Sequence, residues 1–158
     1  MSNEIKAKQR KLIQKLKRKV KHVEPFLEKC EEYQRDKDFV DDVKITFQPL
    51  DVSAKTLNGE VILNEKMLDD DFEDVMRYTV HELCHVLQQE AGKVSEKVDR
   101  DDYLDDENEQ EAFDAQLQYM SDHETPEEIQ AYLERLLDHH DITGKERVQK
   151  IRELTKNI

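Results

Sequence analysis

The 158-residue chain has no tryptophan, three glycines, three prolines and two cysteines. So little glycine leaves no Gly- or Ser-rich linker, no internal repeat is present, and Pro25, Pro49 and Pro126 each fall near an expected element boundary. The chain therefore reads as continuous, and its length suits one domain with a modest core. Cys30 and Cys84 can form one bridge at most, so free thiols in a reducing compartment are expected, with no redox role for either. No apolar run approaches the length of a membrane span, and Met1 to Val23 lacks the apolar core and cleavage site of a secretory signal. The expected address is the cytoplasm.

What the chain has in abundance is charge. Charged residues make up 40% and hydrophobic ones 36%, which is polar for a globular chain but does not force disorder. Met1 to His22 carries nine Lys and Arg against one Glu, net +8, which leaves −21 for the remainder of a chain whose total is −13. Ile5, Leu12, Leu16, Val20 and Val23 draw an apolar stripe along this basic segment. The stripe favours a cover helix attracted to its own acidic domain over a nucleic-acid or anionic-membrane surface.

A short helical segment from Pro25 to about Tyr33 follows, and then "VKITFQPLDVSAKTLNGEVILN" changes to the period of strands. Asn58-Gly59 between two β-prone runs predicts a two-residue type I′ hairpin turn, with Val52 to Leu57 paired to Glu60 to Asn64. A third strand at Lys44 to Phe47 completes a small antiparallel sheet. The expected class is α+β with about six helices. A helical region spans 1–43, a core 44–120 and a helical extension 121–158.

The core carries the chemistry. Asp69 to Asp71 start a helix with Phe72, Val75, Met76, Thr79, Val80, Leu83 and Leu87 at helical spacing, stopped by Gly92. Inside it stands His81-Glu82-Leu83-Cys84-His85. Four residues apart, the two imidazoles share a face and can reach one ion, while Glu82 projects beside it. A metal-bound water needs such a carboxylate, close enough to take its proton yet outside the coordination shell. The metzincin pattern is excluded, because Gln88 and Ala91 stand where its Gly and third His belong. A deformylase-type cysteine ligand finds no setting in "LEKCEEY" around Cys30. The next amphipathic helix, with Ala112, Phe113, Leu117 and Met120 facing the core, offers Glu107, Glu109 and Glu111 as candidate third ligands.

From about Lys44 to Met120 the sequence resembles the gluzincin metallopeptidases, especially the single-domain minigluzincins, and more distantly the ImmA/IrrE-type peptidases. "GEVILNEKMLDDDFEDVMRYTVHELCH" matches their strand, loop and active-site helix in order, and Glu111-Ala112-Phe113-Asp114 matches the context of their glutamate ligand. The resemblance implies a zincin-like fold with an edge strand that binds extended peptide. It implies zinc held by His81, His85 and Glu111, with Glu107 as second choice, and Glu82 as general base in the hydrolysis of peptide or protein substrates.

Tyr78, Tyr103, Tyr119 and His123 are candidate donors to the developing oxyanion, and Asp114 a candidate partner for a ligand imidazole. His139-His140-Asp141 reads as a polar helix end, because adjacent histidines diverge by roughly 100° on a helix. The acidic run Asp99 to Glu111 lacks the central Gly of an EF-hand and reads as a solvated approach. Thr125-Pro126-Glu127-Glu128 caps a helix with Ile129, Leu133, Leu136 and Leu137 on one face, and Val148, Ile151 and Leu154 mark another. A catalytically inactive, metal-stabilised interaction module is the alternative. Retention of Glu82 speaks for the enzyme, since a structural ion needs no adjacent base.

Overall fold

A serine opens the first helix. The computed structural model describes residues 2–93 and 100–158, and in it the Ser2 hydroxyl accepts from the Ile5 amide to cap α1, Asn3–Val20. Leu16 and Val20 are fully buried, whereas Ile5 is 44% exposed, so the apolar stripe docks only toward its C-terminal end. Lys8 pairs with Asp69, and Lys21 with Asp38 at 3.2 Å and Asp41 at 2.8 Å. Each such exposed pair contributes roughly 0–1 kcal/mol, so burial of the stripe holds the helix and the charges orient it. α2, Glu24–Glu32, follows with Pro25 in its first turn, where no amide hydrogen is needed.

Three strands come next: β1 Ile45–Gln48, β2 Ala54–Leu57 and β3 Glu60–Asn64. Asn58 and Gly59 both have positive φ, 52° and 78°, and pair Leu57 with Glu60 across the expected hairpin. The sheet order is β1-β3-β2, and β1 runs parallel to β3. This corrects the all-antiparallel expectation to a mixed sheet. The chain from β1 must cross to the far side before the hairpin returns β3 to the centre, and strand periodicity carries no record of that order. The buried run Val61, Ile62, Leu63 is the local mark of a central strand covered on both faces.

The remaining helices are α3 Phe72–Glu90, α4 Glu107–His123, α5 Pro126–His139 and α6 Gly144–Thr155. Together with α1 and α2 they make six α-helices among the described residues and an α+β chain that is mostly helical. One core packs α1, α2, the sheet and α3, with Phe26, Leu63, Met76, Leu83 and Leu87 nearly fully buried. A second packs α4, α5 and α6 around Leu117, Met120, Leu133 and Leu137. α4 serves both, giving Ala115 and Tyr119 to the first and Phe113, Leu117 and Met120 to the second. Of the face expected on α6, Leu154 is buried and Val148 is 54% exposed. Thr125 and Glu128 form the expected capping box. Both cysteines are free and buried, and burial raises the Cys30 thiol to about 11. No helix among the described residues is long and apolar enough to cross a membrane. The first residue of the acidic run, Asp99, lies outside the described residues.

Candidate metal centre

The site forms where α3 meets α4 across the seam of the two cores. Asp71 precedes α3 without a side-chain capping bond, and Glu73 and Asp74 add negative charge to its first turn. About two turns on, the helix buries nearly every side chain, including His81 and Glu82. α4 starts at Asp106, whose carboxylate accepts from the Glu109 amide at 3.0 Å and so sets Glu109 in the first turn.

His81, His85 and Glu109 each turn one ligand atom to a common point. The two Nε2 atoms lie 3.2 Å apart, and Glu109 Oε1 is 3.1 Å from His81 Nε2 and closer still to His85 Nε2. Ligands about 2.0–2.1 Å from a tetrahedral ion are separated by roughly 3.3 Å, so the spacings of 3.2 and 3.1 Å around His81 Nε2 fit one small divalent cation, while the His85–Glu109 pair is closer than two ligands of one ion would lie. The far nitrogens explain the orientation. His81 Nδ1 donates to Gln116 Oε1 at 2.9 Å, and His85 Nδ1 donates to Gln88 Oε1 at 2.7 Å. A neutral imidazole that donates from Nδ1 presents a lone pair at Nε2. Two lone pairs and a carboxylate oxygen then converge, a set that repels itself unless a cation or a proton joins it.

The electrostatics agree. Burial opposes charge on His85, but Glu109 against Nε2 overrides it, with Glu82 adding to the effect, and raises the pKa to about 9. Burial likewise opposes charge on Glu109, and the two imidazoles overcome it and hold the carboxyl well below the usual range. Glu82 lies beside the cluster, fastened by Thr56 of β2, whose hydroxyl contacts Glu82 Oε1 at 2.9 Å and its carbonyl oxygen at 3.0 Å.

The structure thus brings together His81, Glu82 and His85 as the spacing predicts, but not Glu111. Glu111 is turned to the other side of α4, where Tyr33 Oη, Gln88 Nε2 and Lys29 Nζ contact it at 2.5, 2.8 and 3.3 Å. Glu107 is exposed. The physical reason is helical phase: Glu109 heads the buried series Ala112, Phe113, Gln116 and Met120 at spacings of three, four, seven and eleven, whereas Glu111 lies about 200° around from it. Extending that buried stripe back one turn selects Glu109 from the sequence alone, and the motif context obscured it. Asp114 contacts Gln118 and Asn157 rather than an imidazole. The partners of the two imidazoles, Gln116 and Gln88, were missed because a glutamine carries no charge to flag it.

A cleft of about 990 Å³ opens over the cluster. Ala54 to Thr56 of β2, one of the sheet's two edge strands, form one wall, and Tyr132 and Leu136 of α5 with His140 just after it contribute another. Of the four candidate oxyanion donors, Tyr78 and Tyr103 line it, while Tyr119 and His123 stack on each other at 4.2 Å and are not among its lining residues. Burial, followed by the nearby Glu109 carboxylate, raises the Tyr103 pKa far above the ordinary value, so the phenol keeps its proton. His140 ends α5 as expected but is buried, stacked on Tyr103 at 5.1 Å. Comparison of the chain with protein-family models, with curated proteins and with solved structures finds no match.

Proposed function

We propose that the protein is a zinc-dependent peptidase of the gluzincin type, with His81, His85 and Glu109 as the metal ligands and Glu82 as the general base. The observation that carries this reading is the convergence of three acceptor atoms, with an unligated carboxylate adjacent. Imidazole and carboxylate donors suit Zn²⁺ best among the divalent ions of a cell. His81, His85 and Glu109 would hold a zinc ion, which would supply Lewis acidity toward water and a substrate carbonyl. The Thr56 hydroxyl occupies Glu82 Oε1, which leaves Oε2 to take the proton of the attacking water and pass it to the leaving amine. We assign the oxyanion donor role to Tyr103, a protonated phenol near Glu109 that lines the cleft. An extended peptide is read along the outer edge of β2, where main-chain pairing needs no particular side chain. A reducing cytoplasmic setting accords with the two free thiols.

The test is metal content by mass spectrometry, followed by cleavage of a diverse peptide library by wild type and Glu82→Gln. The expected result is about one zinc per chain in both, with cleavage lowered roughly 10²–10⁴-fold by the substitution. Zinc in both proteins with no cleavage by either gives the site to a metal-stabilised interaction module instead. No zinc in either removes the metal centre itself.

A further inference from the structure

Behind the metal centre lies a second polar assembly that the peptidase chemistry does not use. Gln88 is 1% exposed, deep for an amide with four hydrogen-bonding positions. Its Nε2 donates to the Asn108 carbonyl at 2.9 Å and to Glu111 Oε1 at 2.8 Å, and its Oε1 accepts from His85 Nδ1 at 2.7 Å. Glu111 is itself anchored on α2 by Tyr33 Oη at 2.5 Å and Lys29 Nζ at 3.3 Å.

These contacts leave the amide one orientation. Rotated by 180°, Gln88 would set its oxygen against both the Asn108 carbonyl and the Glu111 carboxylate, and its NH₂ against His85. Two acceptors on one side of a buried amide therefore dictate that an acceptor faces the imidazole, and an acceptor at Nδ1 places the ring proton there. The ring's other nitrogen is then free to bind a cation. His81 has a comparable partner in Gln116, whose amide Nε2 contacts Met120 Sδ at 3.7 Å and, among the described residues, no carboxylate.

We propose that Glu111 and Gln88 act as a positioning relay, in which a carboxylate bound to α2 fixes the amide of Gln88, and Gln88 fixes the tautomer and ring orientation of His85 for metal binding. The inference rests on the metal-centre reading above, and it gives Glu111 a role behind the ligand shell. Loss of such a supporting partner weakens metal affinity by roughly 10–100-fold.

Two measurements test it. Zinc affinity by chelator competition should fall about 10–100-fold in Gln88→Met, which approximates the buried volume, and in Glu111→Leu. Glu111→Gln keeps an acceptor oxygen and should bind closer to wild type than Glu111→Leu does. Independently of metal, nitrogen-resolved imidazole spectra of the neutral ring should show the proton on Nδ1 in wild type and a shift toward Nε2 in Gln88→Met. A merely structural role would lower the melting temperature and leave both readouts of the folded protein unchanged. Wild-type affinity in Gln88→Met, or a wild-type proton on Nε2, overturns the relay. Should wild type bind no zinc, the metal reading fails, and the spectra alone decide: a proton that leaves Nδ1 on substitution upholds the relay, and an unmoved one sinks it.

Discussion

Glu109 and Glu111 leave the same turn of α4 two residues apart and meet opposite surroundings. Toward the cleft, Glu109 faces the Nε2 atoms of two imidazoles whose Nδ1 atoms are bonded to glutamine oxygens on the far side of each ring. Toward the rear, Glu111 is met by a phenol, an ammonium and an amide, all donors. A half-buried carboxylate surrounded by donors is complete, whereas a buried one set against two imidazole nitrogens calls for a cation or a proton. The count of donors and acceptors around each oxygen, more than the motif around each residue, separates the proposed ligand from its proposed support.

The most direct way to break that comparison is to remove each carboxylate in turn. Glu109→Ala should abolish zinc retention through dialysis, while Glu111→Ala should keep one zinc per chain at affinity reduced by no more than roughly 100-fold. The opposite order would return Glu111 to the ligand set. Next in size is a test of the scaffold beneath both faces. Arg77, 6% exposed, is paired with Asp74 and, at 2.8 Å, with Glu124 at the end of α4, and lies over the Tyr132 ring. Arg77→Met leaves the Glu124 carboxylate buried and unpaired, so chemical denaturation should show a loss of about 3–5 kcal/mol. A loss under about 1 kcal/mol would mean that Glu124 reaches solvent.

The two faces should also answer pH differently. Before a cation binds, His85 keeps a proton up to about 9, so zinc must displace it. Chelator competition should therefore show affinity rising close to tenfold per pH unit from the ordinary histidine range, about 6.5, toward 9, and levelling above. The same raised pKa gives the metal-free fold stability that is fully present below about 6.5 and is lost as pH climbs through 9. Glu111 behaves oppositely. Burial opposes its charge, but Gln88, Tyr33 and Lys29 hold its pKa below the ordinary value, so its contribution is complete above that value and is lost only in acid. A flat zinc affinity from neutral to pH 9 would mean that His85 is already neutral.

Much of this was legible in the chain because it is local. The Asn58-Gly59 turn, the Thr125 capping box and the shared face of His81 and His85 each follow from residues within a few positions of one another. The parallel pairing of β1 with β3 was not, since the order of strands is a long-range property that periodicity does not carry. Nor was the part played by Gln88. An uncharged amide mid-helix reads as a solvent-facing side chain until the opposing helix supplies its acceptors. Glu109 stands between these cases, because its phase with Ala112, Phe113 and Gln116 was present in the sequence, while the local resemblance around Glu111 pointed two residues further on.

The smallest effect sharpens the comparison at the hairpin. Gln88 and its neighbour Gln89 divide α3 between the two faces: Gln88 turns to the relay, while Gln89 Oε1 accepts from the Gly59 amide at 2.7 Å and so ties the tip of the β2–β3 turn to the helix. A Cβ at Gly59 would meet no atom within 4 Å, so Gly59→Ala carries only the backbone cost of φ +78° for an L residue, about 1 kcal/mol. Because the donor to Gln89 is a main-chain amide, the substitution keeps it, and Thr56 should remain on Glu82. Denaturation should register the 1 kcal/mol with zinc affinity unchanged. A tenfold fall in affinity would show that the turn sets the position of the α3 ligands, and would extend the metal centre's support to the sheet as well as to α2.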